Sequence, residues 1–177
     1  DRERLRELVA GADVLIESRG PGVLAALGFG PDRLAAINPA LVSVSISAFG
    51  GDGPKAHWAA TDMTVWASAG PHALAGDDGR PPVPVGVPQA FAHAASEAAG
   101  AAIVALIARS RPGLGQHLDI PAQPCAAQAT QSAILAAPTH PPTHFRPQRG
   151  LQPGPMPLPP IPPSPPGPAP PPAPAAA

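Results

Sequence analysis

The sequence predicts an α/β layer built on a parallel sheet, and three observations carry that prediction. Short runs rich in branched residues, "DVLIE" (13–17), "LVSVSIS" (41–47) and the end of "GLGQHLDI" (113–120), read as strands. The segments between them have helical spacing rather than hairpin turns. The resulting order of helix, strand, helices and strand requires crossover connections.

Element by element, Leu5, Leu8 and Val9 stand at i, i+3 and i+4, an apolar stripe on a short helix otherwise covered by Arg and Glu, and Gly11 ends it. "DVLIE" fits a buried strand of a parallel sheet better than an edge strand. After the "GPG" turn, "PGVLAALG" (21–28) and "PDRLAAIN" (31–38) read as two brief helices, each opened by Pro at its first position and stopped by Gly28 or Asn38. "LVSVSIS" alternates apolar and small polar residues, as a strand does. The loop "AFGGDGPKAHWAATD" (48–62) lies beyond a strand's carboxyl end, where open α/β sheets bind ligands, and its glycines allow close approach of a backbone. "MTVWASAG" continues as a helix and "DDGRPPVPVG" as a turn-rich connector. "PQAFAHAASEAAGAAIVALIARS" is the longest helix. Its second half is apolar nearly all round, which predicts a central position, close-packed through Ala and Gly. "AQPCAAQATQSAILAA" is the last helix.

Composition limits what these elements can do. Of the 30 prolines, 18 lie in residues 138–177, a low-complexity stretch expected to be a solvated, disordered, partly polyproline II tail. Residues 1–137 are then one domain with one core. The chain opens at Asp1 inside a helix, as a fragment or an internal domain would. A net charge of −1, no basic block, 3% aromatics and no Tyr exclude a nucleic-acid surface. The longest apolar run, Ala98–Ala108, is too short for the ~20 residues that span a bilayer, so no membrane partner is expected. The single cysteine, Cys125, excludes an internal disulfide. It reads as a packed small hydrophobe and fits a cytoplasmic protein. His57, His72, His93 and His117 lack ligand spacing, and the spaced pair His140 and His144 falls in the Pro-rich tail, so no metal is expected.

Four places in the sequence attract attention as chemistry. Gly50, Gly51, Asp52 and Gly53 form "GGDGP", a possible phosphate cradle without the Lys and Ser/Thr of a P-loop. Asp62 ends the loop and starts a helix, where capping and a role in a site are both open to it. Asp13, beside a strand, reads as a turn residue. Phe91 places a bulky ring in the first turn of the Ala-rich long helix.

In order and spacing, "ADVLIESRGPGVLAALGFGPDRLAAINPALVSVSISAFGGDGP", "TD", "GDDGRPPVPVGVP" and "RSRPGLGQHLDI" resemble the class III CoA-transferases (CaiB/BaiF), a family that includes formyl-CoA transferase, carnitine CoA-transferases and α-methylacyl-CoA racemase. The resemblance covers most of residues 5–136. It implies part of a Rossmann-like large domain, an interlocked dimer or a second family domain as partner, acyl-CoA as ligand, and coenzyme A as substrate with no permanently bound cofactor. The implied activity is transfer of CoA between an acyl-CoA and a carboxylic acid in the full assembly. The alternative is a degenerate CoA-binding or structural half without catalysis. The Pro-rich tail begins where family sequence is expected to continue, as a shifted reading frame or a gene-model error would produce.

Residue by residue, the family's E-N-F-R-P-G segment, which contacts CoA, is here Glu17 to Gly22, with Arg19 displaced by one position. Arg19 and the loop Gly50, Gly51, Asp52 and Gly53 are the implied CoA contacts. Asp62 matches an assisting acid. Thr61 replaces a His that serves the racemases as a base, which argues against racemisation, since that chemistry needs a base on each face of the α-carbon. The nucleophilic Asp of the transferases falls at Phe91. That carboxylate attacks the acyl-CoA thioester to give a mixed anhydride and free CoA thiolate. It then carries CoA as an aspartyl thioester. Phe can do neither.

Overall fold

The computed structural model describes residues 2–75 and 80–131; the Pro-rich tail and the end of the last predicted helix lie outside them. The elements are α1 (Arg2–Ala10), β1 (Val14–Glu17), α2 (Val23–Ala26), α3 (Pro31–Ile37), β2 (Val42–Ser47), α4 (Asp62–Ser68), a 3-10 turn (Pro71–Leu74), α5 (Ala90–Arg109), β3 (His117–Pro121) and α6 (Ala122–Gln128). All three strands are parallel in the order β1-β2-β3, with Val14 opposite Val42 and Ser43 opposite His117. The predicted α/β class holds.

The sheet has two chemically different faces, because side chains alternate along each strand. Val42, Val44 and Ile120 belong to the main core with Val65 of α4, the alanines of α5, and Ala122, Cys125 and Ala126 of α6. Leu15, Glu17, Ser43, Ser45, His117 and Asp119 fall in register on the other face. A smaller core, Val9, Phe29, Leu34 and Leu41, joins α1 and α3 to the beginning of β2.

Polar ties set the ends of these elements. The Asn38 side-chain amide donates to the carbonyls of Val9 (3.0 Å) and Ala12 (2.9 Å), and its Oδ1 accepts from the Ala40 amide. Asn38 therefore stops α3 and also holds the end of α1 beside the start of β2. Arg109, the last residue of α5, donates to the Ala40 carbonyl at 2.8 Å and to Asp13 Oδ1 at 2.7 Å. Asp13 is thus an ion-pair partner as well as a turn residue. Gly115 donates to the Pro39 carbonyl at 2.8 Å, so close to β2 that a Cβ there would overlap the Leu41 carbonyl.

Several expectations change. Among the described residues β1 is an edge strand, paired on one side only, and Ile16 is 57% exposed. A hydrophobic run of three residues, Val14 to Ile16, does not distinguish an interior strand from an edge. Pro21 does not open α2, because Gly22 takes the N-cap position at φ 77° and leaves Pro21 in the preceding turn. The long helix is not buried all round. Its face of Ala90, Ala94, Ala98, Ala102 and Ala105 packs inward, while Ile103, Val104 and Ile107 are 60%, 65% and 66% exposed. Small residues face the sheet because only they let the helix backbone approach it closely, and that leaves the large aliphatics outward. Although α5 is long and apolar enough to cross a bilayer, its inward face is packed against β2, β3 and α6.

Cys125 sits buried in the main core, and burial first, then the negative charge of Glu97, push its thiol above the ordinary value. The thiolate is therefore scarce at mildly alkaline pH. Alkylation of the native protein by iodoacetamide is expected to be about tenfold slower than that of a free thiol, and to recover that rate in denaturant. Because folding raises this pKa, the associated stability is present below the unfolded value and is lost as pH climbs through the folded one.

Candidate functional site

At the start of α5 two distant loops meet. Thr61 is the N-cap of α4: its Oγ1 accepts from the Thr64 amide at 3.3 Å, and Thr64 Oγ1 accepts from the Thr61 amide at 2.8 Å, a reciprocal cap. With α4 already capped, the Asp62 carboxylate serves another helix. Its Oδ2 accepts from the Gln89 amide at 2.8 Å and its Oδ1 from the Phe91 amide at 3.0 Å. Both oxygens thus engage amides at the N-terminus of α5, whose dipole favours negative charge there. The Phe91 ring is half-buried against the main core.

The second feature is a cleft of about 390 Å³ on the polar face of the sheet. Its lining includes Glu17, Gly20 and Gly22 from the β1–α2 turn, Gly51 and Asp52 from the glycine loop, and Asp119 of β3. Asp119 Oδ2 accepts from the Gly51 amide at 2.7 Å, and Ser47 Oγ accepts from the Gly50 amide at 2.9 Å. These bonds fold the loop over the carboxyl end of the sheet. Gly50 and Gly53 hold φ of 99° and 85°, and a Cβ at Gly51 would lie 3.3 Å from Asp119 Oδ2. Further along, Phe49 and Trp58 meet edge to face at 6.2 Å, with Lys55 Nζ over both rings.

Of the residues singled out in the sequence, the structure brings Gly51 and Asp52 to the same cleft as the 17–22 segment. It does not bring Asp62 or Phe91 there; those two lie together at the α5 N-terminus. Arg19 is exposed and outside the cleft lining, its own amide donating to Glu17 Oε2 at 2.9 Å. The phosphate cradle is not open as the loop stands, because the Gly50 and Gly51 amides already have oxygen partners. Gly53 is likewise outside the cleft lining. Sequence reasoning missed Asp119, whose signal is the alternation in "HLDI" that puts His117 and Asp119 on one strand face. Ser43 Oγ lies 2.9 Å from His117 Nδ1 on that face. Among the described residues no group of three His, Cys, Asp or Glu is arranged to hold a metal ion.

A parallel sheet with a cleft of this size beside the carboxyl ends of its strands has the arrangement in which open α/β proteins bind ligands. A family model, CoA-transferase family III, matches residues 1–156, and the chain belongs to that family. It is 39% identical over 132 residues to succinyl-CoA:(R)-benzylsuccinate CoA-transferase subunit BbsE of Thauera aromatica, covering 75% of this chain and 32% of that protein. It is 40% identical over 126 residues to acetyl-CoA:oxalate CoA-transferase of Acetobacter aceti, covering 68% and 31%. Among solved structures it resembles a CaiB/BaiF family protein from Brucella suis (TM-score 0.74, 36% identity, 79% of this chain and 38% of that one). It also resembles Rv3272 from Mycobacterium tuberculosis (TM-score 0.70, 26% identity, 76% and 37%). The chain thus spans about a third of the length of the curated relatives it matches.

Proposed function

We propose that the protein serves the transfer of CoA between an acyl-CoA and a carboxylic acid, with this chain binding the ester and a second family domain or a dimer partner supplying the acyl-carrying carboxylate. The observation that carries this reading is at the start of α5. Position 91, where the family resemblance places the nucleophilic Asp, is Phe, and the neighbouring carboxylate, Asp62, has both oxygens tied to the amides of Gln89 and Phe91. A carboxylate held this way has lone pairs committed to structure, which disfavours its acting as a substitute nucleophile.

The cleft supports the binding half of the proposal, with a division of labour imposed by charge. Its lining carries Glu17, Asp52 and Asp119 and no Lys or Arg. Such a lining suits the neutral, hydrogen-bonding portion of CoA, and Arg19 at the exposed turn is the group available to the phosphates. The cytoplasm is the compartment proposed for this activity. Incubation of the intact chain with acyl-CoA, followed by mass spectrometry and calorimetry, tests the reading. The expected outcome is saturable binding with no covalent adduct. An adduct on Asp62 would make this chain the acyl carrier, and absence of binding would remove the cleft from the proposal.

A further inference from the structure

A pocket of about 150 Å³ opens between α1 and α3 and shares only Phe29 with the cleft on the sheet. Arg2 and Arg6 of α1 and Arg33 of α3 line it, with Glu3 as its one acid. Three guanidiniums against one carboxylate leave a local charge of +2, in a chain whose net charge is −1. Phe29, buried in the smaller core with Val9 of α1 and Leu34 of α3, fixes the two helices that carry the arginines. Nothing in the described chain answers these cations. All three are exposed, and among the described residues their side chains make no hydrogen bond or ion pair, although Glu3 stands three positions from Arg6. Arg4, on the same helix, does pair with Glu7, at 2.7 Å. Arg2 and Arg6 also stand at i and i+4, where like charges weaken a helix. An anion received between them and Arg33 turns that repulsion into attraction.

We propose that this pocket binds a pyrophosphate group, held jointly by Arg2, Arg6 and Arg33. The planar fork of a guanidinium matches the oxygen edges of a phosphate, and hydrogen bonds between two charged groups are shorter and stronger than neutral ones. Two bridged phosphates present edges to forks arriving from two helices, and their charge meets the local +2. A monocarboxylate offers one edge and one charge. The volume lies below the ~300–1,000 Å³ of pockets that enclose drug-sized ligands, so the pocket encloses the anion and leaves anything attached to it outside. Glu3 opposes the anion and holds its affinity down. The CoA reading above uses Arg19 and the sheet cleft, so either reading can fail without the other.

Calorimetry of the full chain with inorganic pyrophosphate at low ionic strength tests the proposal, with acetate as the comparison anion. Saturable binding of pyrophosphate and none of acetate is expected, and added salt should weaken it because the site is exposed. Arg33→Gln and Arg6→Gln are each expected to weaken binding about tenfold, and Glu3→Gln to strengthen it about threefold. Arg111→Gln, an exposed arginine at the far end of α5, should leave it unchanged. The opposite signs at Arg33 and Glu3 separate a charge-built site from a loss of structure, and the anion comparison in the unaltered chain needs no variant to fold. ADP distinguishes the sources of the group. Displacement of pyrophosphate by ADP, lost in Arg33→Gln, makes the occupant a nucleotide's diphosphate, whereas no displacement makes it the free anion. Absence of saturable binding, equal binding of acetate, or an affinity that falls in Arg19→Gln and not in Arg33→Gln would overturn the proposal.

Discussion

Gly115→Ala is expected to destabilise the protein by about 3 kcal/mol or more, lowering the thermal midpoint by roughly 10 °C. The cause is the approach of the chain before β3 to the start of β2. The Gly115 amide donates to Pro39, and a Cβ would overlap the Leu41 carbonyl and lie 2.7 Å from the Ala40 carbonyl carbon. These are backbone atoms at the head of the central strand, so no side-chain rotation can relieve the contact, and β2 and β3 must separate. Gly100→Ala is the matching control. It lies in the exposed part of α5 with nothing within 4 Å of a new Cβ, and alanine there is expected to stabilise by about 0.5–1 kcal/mol. Urea denaturation of both variants reads the two signs. A tolerated alanine at 115 would mean that the junction of β2 and β3 is looser than the geometry says.

Asp62→Ala is expected to cost about 2 kcal/mol, because it removes an acceptor from two amides at the start of a 20-residue helix. Asp62→Asn, which keeps one carbonyl oxygen, is expected to lose about half as much. The local readout is hydrogen exchange. The Gln89 and Phe91 amides should exchange roughly 10- to 100-fold faster in Asp62→Ala, while amides in the middle of α5 change less. This result separates structure from chemistry at that position. A residue acting only as a nucleophile could be replaced without loss of stability, so unchanged melting and unchanged exchange at 89 and 91 would reject the capping role.

The same residue shows how far a linear pattern reaches. That Asp62 lies at a helix start, and that such an acid can cap, follows from its neighbours in sequence. Which helix it caps does not, because its partners are 27 and 29 positions away. The glycine loop behaves alike: its position after a strand was legible, but the occupation of the Gly50 and Gly51 amides by Ser47 and Asp119 depends on how β3 pairs beside β2. Among the described residues the buried Nδ1 of His72 has no hydrogen-bond partner, which has no sequence signature, since lack of a partner is a property of everything packed around it.

Local chemistry by itself determined the order of helices and strands, the parallel class of the sheet, the start of α5 with Phe91 in its first turn, and the absence of a carboxylate at that position. Backbone preference and hydrophobic period act over a few residues, and these features need no more. Tertiary structure alone decided that α5 turns its alanines inward and its large aliphatics outward, that β1 stands at the edge of the described sheet, and that Asp62 and Phe91 share one hydrogen bond. Each depends on contacts between segments tens of residues apart, which packing selects from the many arrangements the same local patterns permit.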